Sequence, residues 1–244
     1  MELKILENIE IAQNTFSLKI DNPNLFDALA GQFFMVRING FNYPLLRRPF
    51  SIADFNENYI EIIYRVVGEG TKILTKKKAG EFIDILGPLG NGFSDIGTGK
   101  KIFLVGGGIG VAPLIYLKNV IESQYRLPYK AYFGFNFKEE IYVDFGEIAT
   151  MDGSVGFNGN VVDLVEKELD ENSIVFACGP TLMLKRLAYV CYDKNCKMQV
   201  SLESRMACGI GVCLGCVVET QDGYKKVCDN GPVFDYREIV WQAL

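Results

Sequence analysis

KIFLVGGGIGVAPLIYLKNV, residues 101–120, is the part of the sequence that indicates the fold class most directly. Its opening apolar run, Ile-Phe-Leu-Val, is typical of a strand that is buried on both faces of a parallel sheet. Consecutive glycines then indicate a sharp turn, and apolar residues spaced three and four apart from Ala112 onward predict a helix. A buried strand joined to a helix by a glycine turn is the building unit of a parallel α/β sheet.

The same unit recurs toward the C-terminus. Strands are predicted in YKAYFGF (129–135), SIVFACG (173–179) and MQVSLES (198–204), and helices in VVDLVEKEL (161–169) and PTLMLKRLAYVCYDK (180–194). Strands that alternate with helices predict a parallel-sheet α/β domain. We place this domain at residues 99–204.

The N-terminal part has a different pattern. Six short segments are rich in Ile, Phe, Tyr and Val: LKILENIEIA, TFSLKI, QFFMVRI, RPFSIADF, YIEIIYRVV and EFIDILG. Short strands with no long helical pattern between them predict a closed antiparallel β-barrel. Glycine-dense segments at 87–93 and 95–100 mark its end, so we assign the barrel domain to residues 1–98.

The cysteine spacing in the last forty residues is the most specific motif of the chain. Cys208, Cys213, Cys216 and Cys228 follow the pattern C-x4-C-x2-C-x11-C, which is the ligand spacing of plant-type [2Fe–2S] clusters. Glycines between the ligands permit the sharp backbone turns that such a loop needs. A zinc site with four cysteine ligands is the alternative, but zinc ribbons use two C-x2-C pairs and only one is present. We therefore predict a small cluster unit at residues 205–244.

Composition narrows the remaining chemistry. The 244 residues contain no histidine, which excludes His-based catalytic triads, Rieske clusters and His-ligated haem. A net charge of −5 argues against nucleic-acid binding. The N-terminus does not resemble a signal peptide, the longest apolar run is broken by glycine and proline, and seven cysteines are an odd number. We expect a soluble cytoplasmic protein without disulfides and without a membrane span.

Two turns at the predicted carboxyl edge of the α/β sheet favour a nucleotide site. The first, with Gly108, Gly110 and Pro113, joins a strand to a helix N-terminus, where backbone N–H groups bind phosphate. The second is Cys178-Gly179-Pro180, also between a strand and a helix. Together they suit the pyrophosphate and the nicotinamide of a dinucleotide. A turn that serves only helix–strand packing is the alternative for the first.

The barrel offers a second set of binding residues. Arg suits phosphate, Ser offers a hydroxyl, and a Gly-Thr pair before a short helix is a further phosphate seat. The candidates are Arg48, Pro49, Phe50, Ser51, Ile63, Tyr64, Arg65, Gly70 and Thr71. Taken singly, each is equally well explained as a surface arginine or a core side chain.

The order R-P-F-S, Y-R, G-T, G-P-L-G, G-G-G-I-G-V-A-P and C-G-P resembles the ferredoxin–NADP reductase superfamily. The tail, SLESRMACGIGVCLGCVV with VCDNGPVFDYREI, narrows the resemblance to the electron-transfer subunits of NAD-dependent, B-class dihydroorotate dehydrogenases. The resemblance covers essentially the whole chain. It implies FAD on the nine barrel residues, NAD(H) on the two turns and a [2Fe–2S] cluster on the four cysteines. Phe50 departs from the usual smaller aliphatic residue or Tyr, and its ring is expected to stack on the flavin.

The resemblance also implies a partner and a task in pyrimidine biosynthesis. A catalytic subunit with FMN in a TIM barrel would oxidise dihydroorotate, and the two chains would form a heterotetramer with two copies of each. Electrons would pass through the [2Fe–2S] cluster and FAD to NAD+. We assign no catalytic acid or base to this chain.

Two other functions stay open at this point. One is an NAD(P)H reductase γ subunit of a hydrogenase, a sulfide dehydrogenase or an NADH–ferredoxin reductase complex. The other is a regulatory iron–sulfur or zinc module. For the choice between NAD and NADP, residues 136–140 (NFKEE) offer acids that would meet a ribose hydroxyl. Those acids are equally well explained as a solvated loop.

Overall fold

Six antiparallel strands close into a barrel in the N-terminal part of the computed structural model, which describes residues 1–23, 26–38, 43–97 and 99–244. The strands are β1 (Glu2–Ala12), β2 (Thr15–Asp21), β3 (Phe33–Arg37), β4 (Arg48–Phe55), β5 (Tyr59–Arg65) and β6 (Phe82–Leu89). Their order around the barrel is β1-β2-β5-β4-β3-β6. The predicted barrel is therefore confirmed. A short helix, α1 (Glu69–Leu74), lies between β5 and β6.

The barrel is held closed by side chains that alternate between interior and surface. In β1, Leu3 and Ile5 are buried while their neighbours are exposed, and Leu18 and Ile20 of β2 lie in the same apolar core. Closure pairs every strand with two neighbours and leaves no unpaired edge along the barrel.

A seven-stranded sheet follows the barrel. Its strands are β7 (Lys101–Gly107), β8 (Tyr129–Phe135), β9 (Glu147–Thr150), β10 (Phe157–Asn158), β11 (Ser173–Cys178), β12 (Lys197–Ser201) and β15 (Val233–Asp235). Between β12 and β15, the strands β13 (Val217–Thr220) and β14 (Gly223–Lys226) form a separate hairpin. The order is β10-β9-β8-β7-β11-β12-β15. Strands β7 to β12 are parallel, which confirms the predicted α/β sheet, and β15 is antiparallel to β12.

The antiparallel strand β15 comes from the part of the chain assigned to the cluster unit. It pairs with β12 through Val200 and Phe234, among others, so the C-terminal unit completes the edge of the α/β sheet. Three residues are too few for a periodicity that would predict such a strand from sequence. Residue 98, at the predicted end of the barrel domain, lies outside the described residues, and the predicted domain limits stay predictions.

Three further helices cover the sheet: α2 (Ala112–Val120), α3 (Val161–Val165) and α4 (Thr181–Asp193). Helix α2 lies between the sheet and the barrel. Its Leu114 and Leu117 are fully buried in the core that includes Ile52 of the barrel and Leu104 of the sheet. The Tyr116 hydroxyl donates a hydrogen bond to the Ala28 carbonyl (2.8 Å). In the described residues, no helix is long and apolar enough to cross a membrane.

A polar network fixes the outer side of the barrel at Asp84 of β6. Its carboxylate accepts hydrogen bonds from Arg47 Nη2 (2.5 Å), from Arg37 Nε (3.1 Å) and from the Met1 ammonium (2.9 Å). Partial burial acts to raise the pKa of Asp84, but the hydrogen bonds and charges of Arg47 and the ammonium outweigh it and hold the pKa below its usual value.

We expect Asp84→Asn to lower the free energy of unfolding by about 1–2 kcal/mol at pH 7, because it removes the charge that these three donors share. A lowered folded-state pKa stabilises the protein above the unfolded pKa, about 4, and this stabilisation is lost as pH falls through the folded pKa. Urea unfolding at pH 7 and at about pH 3 measures the difference. The difference in free energy of unfolding between the wild type and Asp84→Asn should be smaller at the lower pH. The control Glu57→Gln, in an exposed turn, should leave the free energy of unfolding unchanged at both pH values.

Candidate cofactor sites

A cavity of about 400 Å³ lies where the barrel meets the sheet. It is bordered by all nine barrel residues that the sequence predicts, namely Arg48, Pro49, Phe50, Ser51, Ile63, Tyr64, Arg65, Gly70 and Thr71. The structure therefore brings the three barrel motifs around one space. Their contact with FAD stays a prediction. No sequence pattern signals the parts of the wall that come from Phe33, Ile109 and residues 201–204.

The two adjacent arginines at the start of β4 have different partners. Arg47 donates to Asp84 and to its carbonyl oxygen (2.9 Å), away from the cavity. Arg48 borders the cavity, and its Nη1 donates to the Leu46 carbonyl (2.8 Å). A methyl group added to Gly70 would lie 3.5 Å from Arg48 Nε. The glycine therefore leaves room for the guanidinium at the cavity wall.

The hydroxyls of Thr71 and Tyr64, near the cavity, already have hydrogen-bond partners in the protein. Thr71 Oγ1 accepts hydrogen bonds from the Val67 and Gly68 N–H groups (3.0 and 3.2 Å) and donates to the Gly68 carbonyl (3.0 Å). Tyr64 donates its hydroxyl to Asn8 Oδ1 (3.0 Å). Thr71 therefore shapes the turn before α1, and Tyr64 presents its ring to the cavity. The Phe50 ring packs against the Tyr64 ring at 5.8 Å.

Arg65 has donors left over. Its Nη1 contacts Glu140 Oε1 at 3.1 Å, whereas its Nε and Nη2 are buried without a partner within the described residues. A buried donor without a partner costs about 1–3 kcal/mol. Because Arg65 borders the cavity, these two donors fit an anionic group of a bound dinucleotide. These unpartnered hydrogen-bond donors of Arg65 are the structural feature that fits an anionic group of FAD or NAD.

The two predicted nucleotide turns touch each other backbone to backbone. A methyl group at Gly110 would lie 2.5 Å from the Gly179 nitrogen and 2.6 Å from the Cys178 carbonyl oxygen. Only glycine permits this approach, because the obstructing atoms belong to the backbone. Gly108 has a φ of +53°, so the turn also needs a left-handed residue. Of the NAD residues predicted on these turns, Pro113 borders the cavity.

Cys178 lies behind the cavity wall. Its side chain is 1% exposed, and burial raises the pKa of its thiol far above the usual value, with the neighbouring Glu203 carboxylate adding to the effect. The thiol is therefore neutral at pH 7. Desolvation by the surrounding protein atoms likewise raises the pKa of Glu203, whose exposed side chain is on the cavity wall. Contacts of Cys178, Gly179 and Pro180 with nicotinamide stay predictions.

The loop of residues 208–216 directs backbone N–H groups at the cysteine sulfurs. Gly211 donates to Cys228 Sγ (3.2 Å), Cys213 to Cys208 Sγ (3.4 Å) and Gly215 to Cys213 Sγ (3.4 Å). Hydrogen bonds to the charged form favour thiolates. The donors of Ile210 and Cys213 lower the pKa of Cys208 to about 6.

The four thiols are grouped in two neighbouring pairs, Cys208 with Cys213 and Cys216 with Cys228. In the part of the chain that the structure describes, no three cysteine or carboxylate side chains surround one ion position. A two-iron cluster takes two thiolates on each iron, so the paired arrangement fits [2Fe–2S]. The assignment of these cysteines as ligands stays a prediction.

The two remaining cysteines serve the end of helix α4. The Cys196 N–H donates to the Cys191 carbonyl (3.1 Å), and Asn195 between them has a φ of +51°. This is the usual left-handed termination of a helix, in which the two flanking side chains pack together. Both side chains are fully buried, so these two cysteines belong to the core beside the sheet.

The two acids of the segment after β8 have different surroundings. Glu139 is exposed, as a solvated loop predicts, whereas Glu140 is 7% exposed and accepts a hydrogen bond from the Asn136 N–H (3.0 Å) in addition to its contact with Arg65. Contact of either acid with a ribose stays a prediction. No sequence pattern signals the pair of Glu140 and Arg65, because its members lie in different domains.

Comparison with known families gives two matches. Residues 203–240 match the iron–sulfur cluster binding domain of dihydroorotate dehydrogenase B, and residues 2–93 match the oxidoreductase FAD-binding domain. Curated relatives include the electron transfer subunit of dihydroorotate dehydrogenase B (NAD(+)) from Caldanaerobacter subterraneus subsp. tengcongensis, 40% identical over 99% of this chain and 98% of that protein. The corresponding subunit of Fusobacterium nucleatum subsp. nucleatum is 41% identical over 93% of each chain.

Solved structures share the architecture. A chain of the NADH-dependent reduced ferredoxin–NADP oxidoreductase superposes with a TM-score of 0.85 and 29% identity, covering 98% of this chain and 90% of that one. A ferredoxin–NADP+ reductase from Neisseria gonorrhoeae, solved with FAD and NADP, gives 0.68 and 18% over 80% of this chain and 91% of that one. The second likeness shows the fold alone.

We expect Gly110→Ala to lower the free energy of unfolding by about 1–3 kcal/mol, because the added methyl must push the two turns apart. Chemical denaturation measures this change. Gly68→Ala is the control, since Gly68 has an extended backbone with no atom within 4 Å of the added methyl, and its effect should stay within about 0.5 kcal/mol. Equal effects of the two substitutions would contradict the close contact.

Proposed function

We propose that this chain, which belongs to the electron-transfer subunits of dihydroorotate dehydrogenase B (NAD(+)), carries electrons from a catalytic partner subunit to NAD+. Family membership rests on relatives of about 40% identity along the whole chain. The chain is an oxidoreductase subunit with a FAD-binding barrel and an iron–sulfur binding tail. We place this activity in the cytoplasm, in pyrimidine biosynthesis.

The proximity of the cluster loop and the barrel cavity carries the proposal. Gly209, next to Cys208, packs so closely on Met35 of β3 that an added methyl would lie 2.5 Å from Met35 Cγ. Phe33 of the same strand and Met206, just before the loop, both border the cavity. A cluster on the loop and a flavin in the cavity would therefore be neighbours, as electron transfer between them requires.

The residues of the chain bind and orient. FAD, when bound, exchanges single electrons with an iron–sulfur cluster and an electron pair, as hydride, with a nicotinamide. Arg48 and Arg65 supply positive charge at the cavity wall, and the Phe50 and Tyr64 rings supply an apolar surface for a flavin ring. The Gly110 turn and the adjoining Cys178–Gly179 backbone form the place proposed for NAD(H).

The partner would dock over the cluster loop. Ile210, Val212 and Leu214 are 52%, 74% and 63% exposed around the exposed Cys213. Apolar side chains at this exposure are typical of a surface that another protein covers. We propose that the FMN-containing TIM-barrel subunit that oxidises dihydroorotate binds here, in a heterotetramer with two copies of each chain.

The alternative of an NAD(P)H reductase γ subunit of another complex is not favoured. The curated relatives of about 40% identity are dihydroorotate dehydrogenase subunits. The NADH-dependent reduced ferredoxin–NADP oxidoreductase, a protein of the alternative kind, is 29% identical.

Co-expression of the tagged chain with the dihydroorotate-oxidising subunit of the same organism tests the proposal. We expect the two chains to purify together and to reduce NAD+ with dihydroorotate. A Val212→Asp/Leu214→Asp double variant should separate the chains while NADH still reduces the bound flavin. Isolation of the chain with a hydrogenase or a ferredoxin-dependent enzyme, and no activity with dihydroorotate, would contradict the proposal.

We expect Cys216→Ser to remove the cluster and to abolish electron flow from the partner, while NADH still reduces the flavin, because the cavity and both glycine turns are left intact. Iron and sulfide analysis, together with stopped-flow absorbance of the flavin, measures both steps. Cys191→Ala, at a core cysteine outside the loop, is the control and should retain the iron. Coupling to the partner in the iron-free variant would show that the electrons take another path.

A further inference from the structure

We propose that Glu140 is a positioning residue for Arg65: it holds the guanidinium at the cavity wall, where the Nε and Nη2 donors bind anionic oxygens of a dinucleotide. The inference deepens the proposed function and rests on it for the presence of FAD and NAD(H). According to this inference, Glu140, a carboxylate of the α/β domain, contributes to cofactor binding at the barrel wall.

The guanidinium of Arg65 has one engaged end and one free edge. Nη1 contacts Glu140 Oε1 at 3.1 Å, whereas Nε and Nη2 are buried and have no partner in the described residues. These two nitrogens lie side by side on one edge of the planar group, which is the edge that grips a carboxylate or phosphate with two parallel hydrogen bonds. Arg65, a residue that borders the cavity, therefore keeps an unfilled two-donor fork.

Glu140 is fixed before any ligand arrives. Its carboxylate accepts hydrogen bonds from the Asn136 N–H (3.0 Å) and from Asn136 Nδ2 (3.1 and 3.2 Å). Of all the Asp and Glu residues that the structure describes, it alone falls among the buried side chains. A buried carboxylate with fixed geometry orients its partner better than a mobile surface charge, because neither group has to be ordered when the ligand binds.

The segment that carries Glu140 is tied to both domains. The Gln13 N–H of the barrel donates to the Glu139 carbonyl (2.9 Å). Two residues beyond Glu140, the Tyr142 hydroxyl donates to the Gly108 carbonyl (3.0 Å) in the glycine turn. One short segment thus contacts the barrel, the arginine and the nucleotide turn. Binding at the Arg65 fork would therefore depend on correct docking of the two domains.

The anionic oxygens have two sources with the same chemistry. FAD and NAD(H) each carry a pyrophosphate, and Arg65 is near both candidate sites: it borders the barrel cavity, and its Nη1 lies 4.0 Å from where a methyl on Gly108 would be. The test therefore measures the two ligands separately.

The experiment is a double-mutant cycle on the full chain with Glu140→Gln, Arg65→Lys and the combined variant. Fluorescence titration of the flavin-free protein gives the Kd of FAD, and titration of the FAD-loaded protein gives the Kd of NADH. Thermal unfolding without ligand reports on the fold. Glutamine keeps the size of the side chain and an acceptor for Asn136, and lysine keeps the charge of Arg65 but loses the fork.

We expect Glu140→Gln and Arg65→Lys each to weaken binding of one dinucleotide by about tenfold or more. The combined variant should be little weaker than either single variant, because both changes disable one fork. A merely structural role of Glu140 would give additive losses instead. Asp163→Asn is the matched control: it removes a carboxylate from an exposed ion pair with Arg186 in the same domain and should leave both Kd values unchanged.

The outcomes separate this inference from the proposed function. A coupled loss confined to FAD, or to NADH, supports the inference and identifies the source of the anionic oxygens. Unchanged affinities in Glu140→Gln, or additive losses, overturn the inference about Glu140. The proposed function is still supported in that case if the chain binds flavin and transfers electrons with the partner subunit. A wild-type chain that binds neither dinucleotide would contradict the proposed function itself.

Discussion

Helix α2 is buried on two sides, and the arrangement of the molecule depends on this constraint. Leu114 and Leu117 join the core that the barrel shares with the sheet, and Asn119 donates to Asp54 of the barrel (2.9 Å). A helix covered on both sides cannot shift without opening two apolar interfaces, each of which would expose surface at about 25 cal/mol per Å². Because the glycine turn leads directly into α2, its position relative to the barrel is fixed as well.

Because α2 is fixed, the glycine turn, the barrel cavity and the cysteine loop lie on neighbouring surfaces. The Gly110 turn rests on the Cys178–Gly179 backbone, the cavity opens between this edge of the sheet and the barrel, and the cluster loop packs on Met35 of β3. Electron transfer requires short distances but few reacting side chains. A chain without histidine therefore suits the proposed task, in which its residues would orient cofactors and supply thiolates rather than move substrate protons.

Three arginines show how the fold assigns different tasks to chemically equal residues. Arg47 is engaged by Asp84 and stabilises the barrel. Its neighbour Arg48 is turned to the cavity wall, and Arg65 is held at one end by Glu140 of the other domain. The local sequence around each has an arginine near apolar residues and does not separate the three. The partners that folding brings near make the distinction: Asp84 for Arg47, a backbone carbonyl for Arg48 and Glu140 for Arg65.

Features that are local in the chain could be predicted from the sequence. Short segments rich in Ile, Phe, Tyr and Val predicted the barrel strands, the strand–glycine–helix pattern predicted the parallel sheet, and the cysteine spacing predicted the cluster loop, because each depends on neighbours a few residues apart. Tertiary structure alone decided what depends on distant residues. Strand β15 joins the sheet by pairing with β12, and Glu140 turns inward to Arg65 rather than outward to solvent. Both need a partner that only folding brings near, and no periodicity in a single segment encodes it.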